Sequence, residues 1–211
     1  MSYQLNITFD EEALQRVYAK GQAVTLARIA DSTPPSSTTI AWLMNAPFNN
    51  NVISWDEAYQ IYVNNSTLLK PGASIHLLGV TPGKLGGRYS FADGAFAVDP
   101  AGANPEGFEL RNEQDGPVVL GLALKARVNG TDALAATSAF ELRGGEARNV
   151  SPGTMLAIFL ATYLDDGTVL RMIPTDALKL DLSAQGPMIT IAYNTATDQF
   201  EQLPSARSAD A

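Results

Sequence analysis

An aromatic ring beside amide side chains suits a sugar, since the ring stacks on its apolar face while the amides bind its hydroxyls. The chain gathers that pairing in one stretch. Trp42, Phe48, Trp55, Tyr59 and Tyr62 include both of its tryptophans, and Asn49, Asn50, Asn51, Asn64 and Asn65 lie among them. The spacing predicts a turn at Phe48 and places Tyr62 on the polar side of a strand. Phe48, Asn49, Asn50, Asn51, Tyr62 and Asn64 are therefore the candidate ligand-binding residues. The competing reading is cross-strand stacking of the rings in a core.

Other chemistries find less. Asp56, Glu57, Asp93, Asp99, Glu106, Glu109 and Glu113 could supply the acid and base of a glycan-acting enzyme, but that chemistry depends on carboxylate separation, which linear order does not set. His76 is the only histidine. It permits one general base, excludes a multi-histidine metal site, and reads as a partly buried structural residue in the strand-like Ser74-Ile75-His76-Leu77-Leu78. The chain has no cysteine, hence no thiol nucleophile, disulfide or thiolate metal site. No G-x-S-x-G turn offers a serine. Asp165-Asp166-Gly167 is too short for a calcium loop, and Asp93, Asp99 and Asn104, in the long loop region, leave a loop-bound calcium open but unsupported. The glycine-rich, locally basic segment from Thr81 to Arg88 lacks the Gly-Lys-[Ser/Thr] ending and following helix of a phosphate cradle. No catalytic residue, metal or cofactor is assigned.

A formal net charge of -8, with 14 Lys and Arg against 22 Asp and Glu, opposes partners held by phosphate neutralisation. Nucleic acids and anionic membrane surfaces are thereby disfavoured. No apolar stretch approaches the length of a transmembrane helix, the longest being residues 155–164. The first residues, Met1-Ser2-Tyr3-Gln4-Leu5-Asn6, lack the basic start and apolar run of a secretory signal. The expectation is a soluble protein, cytoplasmic or secreted without a recognisable signal peptide. N-x-[ST] matches at Asn6, Asn65, Asn129 and Asn149 matter only in a eukaryotic secretory pathway, which nothing in the sequence supports.

Because 45% of the residues are hydrophobic and 17% charged, the chain can bury a sizeable core. Leu5, Ile7 and Phe9 alternate with polar residues as in a half-buried strand. Thr8 and Glu11 then have capping-box spacing, Asp10, Glu11 and Glu12 favour a helix start, and Leu14, Val17 and Tyr18 share a face. Lys20-Gly21 reads as its end. A strand over 23–30 leads to a proline-paired loop over 31–37. Strands over 38–44 and 52–63 are expected to form a long hairpin through the turn-forming residues 45–51. Another strand is expected over 73–80, and then a loop-rich segment over 81–117 with room for two or three short strands. Further strands are expected over 117–129, 135–142, 154–164 and 169–173, the last two joined hairpin-fashion at Asp165-Asp166-Gly167. Residues 177–182, 188–193 and 199–203 complete the series.

This pattern predicts a mainly β protein, an antiparallel β-sandwich or partly open barrel with one short N-terminal amphipathic helix. Residues 1–203 are expected to form a single domain and 204–211 a disordered tail. No internal repeat emerges. The functional expectation is a non-enzymatic recognition protein, lectin-like, using loops or the aromatic and Asn-rich hairpin to bind a glycan or another cell-surface component. The alternative is a membrane-active or insecticidal-type β toxin, suggested by small-residue arms such as 133–140 and by the amphipathic helix. A carboxylate enzyme and a self-assembling homo-oligomer complete the set.

Overall fold

The computed structural model describes residues 1–34, 38–64, 69–102, 104–162 and 165–204. Among them the chain forms β1 (Ser2–Thr8), α1 (Glu11–Ala19), β2 (Gln22–Thr33), β3 (Thr39–Ala41), β4 (Leu43–Asn45), β5 (Asn50–Asn64), β6 (Gly79–Pro82), β7 (Arg88–Ala92) and β8 (Ala95–Asp99). There follow β9 (Phe108–Asn112), β10 (Val118–Val128), β11 (Thr131–Leu142), β12 (Ala147–Thr162), β13 (Thr168–Leu170), β14 (Leu178–Asp181), β15 (Met188–Asn194) and β16 (Gln199–Gln202). The fold is mainly β and sandwich-like, as the sequence predicts. A first sheet runs β11-β10-β5-β1-β15-β16, with β6 also on β5. A second runs β4-β2-β12-β9-β7-β8, with β14 also on β12, and β3 with β13 forms a small third pair. Pairing is antiparallel except between β1 and β15 and between β7 and β9, which run parallel.

Alternation along the strands builds the core. Leu5 and Ile7 on β1, Ile53 and Ile61 on β5, and Leu26 and Leu156 from the second sheet meet between the layers with full burial. A second cluster lies on the opposite face of the first sheet, where Ile40, Ile75 and Val169 cover Tyr62, Val119 and Ala139. β10 registers both. Its residues 118–124 are buried on either face, and exposed Lys125 and Arg127 mark where the cover ends. A run buried on both faces loses its alternation, which explains the continuous Val-Val-Leu-Gly-Leu-Ala-Leu sequence. Residues 133–140, the small-residue stretch, lie in β11, where 135–140 are buried.

Several local expectations change. Asp10, not Thr8, caps α1 by accepting a hydrogen bond from the Ala13 N–H at 2.7 Å, because Thr8 is still paired in β1. Ala13 and Val17 are the buried residues of the helix, while Tyr18 is exposed. Asp10→Ala should lower stability by about 1 kcal/mol, read from urea denaturation, while Thr8→Ala changes it by less.

Residues 38–44 and 52–63 do not form a hairpin. β4 pairs with β2 in the second sheet, whereas β5 pairs with β1, β6 and β10 in the first, so residues 46–49 cross between layers. Asp165-Asp166-Gly167 likewise joins β12 of the second sheet to β13 of the small pair. Residues 73–78 form only an isolated bridge, at Ser74, and His76 is exposed. The segment 81–117 contains β7, β8 and β9. The true hairpins include β10–β11, whose Asn129 and Gly130 have φ of 48° and 88°. β7–β8 is another, turning at Asp93 and Gly94 with φ of 48° and 78°. Both match the turn in which the two central residues have positive φ. Beyond Pro204, the expected tail lies outside the described residues, as do residues 163 and 164.

Candidate functional site

Two long strands each carry a bulge. On β5, Asp56, Glu57 and Ala58 occupy the space between Trp55 and Tyr59, where β10 spends only Lys125 between their partners Ala126 and Leu124. On β12, Pro152, Gly153 and Thr154 face the single Ala30 of β2. Such insertions turn neighbouring side chains to new directions. Asp56 and Ala58 are exposed, and Glu57 makes contact between the sheets.

There Glu57 meets Arg28 of β2, whose side chain is only 4% exposed. The guanidinium donates to Glu57 Oε1 at 2.7 Å and Oε2 at 3.2 Å, to the Tyr59 hydroxyl at 2.9 Å and to the Gly153 carbonyl at 2.8 Å. Trp55 Nε1 and the Tyr59 hydroxyl also donate to the Glu57 carboxylate, at 2.9 and 2.5 Å. Burial alone would raise the Glu57 carboxyl, but the hydrogen bonds and charge of Arg28 outweigh it and hold it below its ordinary value. Burial pushes the Tyr59 phenol far up, so it stays neutral. Glu57 is thus an ionised structural group and not a proton donor.

Over the β5 bulge a groove of about 400 Å3 opens. Ser2 of β1, Ser54, Asp56 and Gln60 of β5, and Lys125 and Arg127 of β10 line it, with Asp132 of β11 opposite. Lys125 Nζ lies 2.7 Å from Asp132, and both side chains are more than half exposed. The hydrogen bond and charge of Lys125 hold the Asp132 carboxyl below its usual range. Ser2 Oγ donates to Asp56. Ala58, Ala126, Tyr3 and Trp55 complete the lining, the last two stacked at 5.3 Å and only 6% and 4% exposed. The groove therefore offers a ligand acids, cations, hydroxyls and an amide beside a larger apolar surface.

The six residues singled out from the sequence are divided between the ends of β5. Phe48 is 54% exposed, and Asn49 and Asn50 are exposed beside it. Tyr18 joins them, its hydroxyl donating to the Pro47 carbonyl. Asn51 is buried and shapes this crossover: its Oδ1 accepts from the Phe48 N–H at 3.0 Å, and its Nδ2 donates to the Phe48 carbonyl at 2.8 Å. Tyr62 does not lie on a solvent face, because the second core cluster covers it. It is wholly buried and donates to the Ser138 carbonyl at 2.8 Å. Asn64 is also buried, and among the described residues neither of its side-chain amide atoms has a hydrogen-bond partner. Asn65 lies outside the described residues. Trp42 and Trp55 are core residues, at 0% and 4% exposure.

The remaining acids, Asp93, Asp99, Glu106, Glu109 and Glu113, do not line the groove. Glu109 is buried within 2.9 Å of Arg88 and 3.4 Å of Arg111, and Arg88 also reaches Asp99 at 3.5 Å. Among the described residues no three His, Asp or Glu side chains cluster as a metal site. The groove has a faint signature in the sequence: the apolar run of β10 breaks at Lys125, and adjacent Asp56 and Glu57 interrupt an otherwise regular strand. No protein-family model matches the chain, and no match is found among curated proteins or solved structures.

Proposed function

We propose that the protein is a recognition module that binds a neutral glycan in the groove over the β5 bulge. The observation that carries this reading is the composition of the groove. Two carboxylates, Asp56 and Asp132, are balanced by two cations, Lys125 and Arg127, and Gln60 and Ser54 share the lining with them. A sugar hydroxyl both donates and accepts a hydrogen bond, so it is matched by a site rich in both roles. The balance of charge disfavours a strongly anionic or cationic ligand. Val52 continues the same side of β5 toward the crossover loop that presents Phe48, Asn49 and Asn50, where a longer glycan meets a ring and amides.

A glycan array probed with the wild type and with the Asp56→Ala/Gln60→Ala variant tests this. Binding to uncharged glycans should fall at least about tenfold in the variant, a loss of about 1.4 kcal/mol. The melting temperature should stay close to wild type, because Asp56 is exposed and Gln60 partly so. Trp55 lines the groove, so its emission should shift on occupancy. If the wild type binds no glycan, or the variant binds equally well, the reading fails.

A further inference from the structure

A second cavity, of about 150 Å3, lies where the end of α1 meets the β15–β16 hairpin. Phe159, Leu160 and Phe200 give it the smaller, apolar part of its wall, and Gln22 and Gln199 together with Lys20, Asp198 and Tyr193 give it the larger, polar part. The last three form a closed set. Lys20 Nζ is 3.2 Å from the Asp198 carboxylate, and the Tyr193 hydroxyl donates to the same carboxylate at 3.1 Å. Arg16, outside the lining, approaches Asp198 to 3.9 Å. Asp198 is therefore neutralised from within the protein. Asp176, which also lines the cavity, is different: among the described residues its carboxylate makes no hydrogen bond or ion pair.

We infer that this cavity binds a small organic ammonium ion, with its N–H groups on Asp176 and its carbon chain against Phe159, Leu160 and Phe200. The Lys20–Asp198 pair contributes little net charge, so Asp176 sets the sign of the ligand. The Tyr193 oxygen keeps acceptor capacity after donating its proton to Asp198, which gives the ammonium a second contact. Aromatic walls also attract a cation through the negative faces of their rings. The volume limits the ligand to a few heavy atoms, and weak binding is expected of so small a molecule.

The test is an NMR titration of the full chain with n-propylammonium chloride against sodium chloride at matched ionic strength. Saturable shifts are expected at residues around the cavity, with a dissociation constant of about a millimolar. Asp176→Asn should weaken binding at least about tenfold. Lys20→Met should strengthen it, because it releases Asp198 to serve as a second carboxylate. Asp176 and Lys20 are exposed, so both variants should melt like the wild type. Tetramethylammonium, with no N–H to donate, should bind more weakly. Shifts that do not saturate, or that are the same in Asp176→Asn, overturn the assignment.

Discussion

Arg28→Met should lower the free energy of unfolding by about 3 kcal/mol, the largest loss expected from any single charged residue of this chain. The replacement leaves the Glu57 carboxylate, the Tyr59 hydroxyl and the Gly153 carbonyl without the guanidinium that joins them. Breaking a buried pair on one side costs about 3–5 kcal/mol, and the lower figure applies because the Glu57 side chain is 21% exposed. Glu57→Gln keeps an acceptor for Arg28 but removes the countercharge, so it should cost less, about 2 kcal/mol. The double variant should lose less than the two singles combined, because neither leaves the other stranded. Urea denaturation followed by far-UV circular dichroism measures all three.

The same pair fixes a pH dependence. The folded Glu57 carboxyl titrates below its ordinary value of 4.5, so its contribution is complete above that value and disappears as pH falls through the folded pKa. The wild type should therefore lose this part of its stability only below about pH 4.5. Glu57→Gln should show a flatter acid limb. If the two limbs are parallel, the Glu57 carboxyl is not held below its ordinary value in the folded protein.

The clamp has a geometric role as well. β5 is paired with β1 over its first half and with β6 over its second, and β12 changes from β9 to β14 in the same manner. Each strand must bend where its partner changes, and the bulges are placed there. Arg28 holds both, donating to the Glu57 carboxylate of one bulge and to the Gly153 carbonyl of the other. Gly153 has no substitute in this conformation, since a Cβ would collide with the Ile29 carbonyl oxygen. The groove over Asp56 thus depends on a contact made beneath it.

Much of this architecture is legible in the residues. Leu5, Ile7 and Phe9 alternate because the other face of β1 is only partly covered, and the β15–β16 hairpin follows from its turn residues, Asn194-Thr195-Ala196-Thr197-Asp198. The sheet assignment is not legible in the same way, because alternation specifies a face and not a neighbour. Residues 45–51 have hairpin-like composition, yet they cross between sheets, and no local signal distinguishes the two. The dipeptides Asn129-Gly130 and Asp93-Gly94 do carry a local signal, and both turn hairpins. The groove escapes a linear reading because Ser2, Asp56, Lys125 and Asp132 come from four strands and converge only after the bulge sets the register. Aromatic density pointed toward Trp42, Trp55 and Tyr62, which the third pair and the two sheets bury.

Trp42→Ala should cost about 4 kcal/mol, in the range for truncating a fully buried aromatic side chain. Trp42 stands between β3 and β4, where the chain leaves the small third pair and enters the second sheet. Its backbone N–H donates to the Leu26 carbonyl at 2.8 Å, and its indole N–H reaches across the core to the Leu124 carbonyl at 3.2 Å. Its ring meets that of Trp55 edge to face at 5.5 Å. One side chain thereby ties the second sheet to β10 and β5 of the first. Trp42→Phe should retain most of the buried area and lose the indole hydrogen bond, costing about 1–2 kcal/mol. Circular dichroism is the appropriate signal for both variants, since each removes one of the two tryptophan fluorophores. A loss below about 2 kcal/mol for Trp42→Ala would mean that the space collapses around the missing ring. The crossover would then be held by the backbone contacts of β3 and β4 alone.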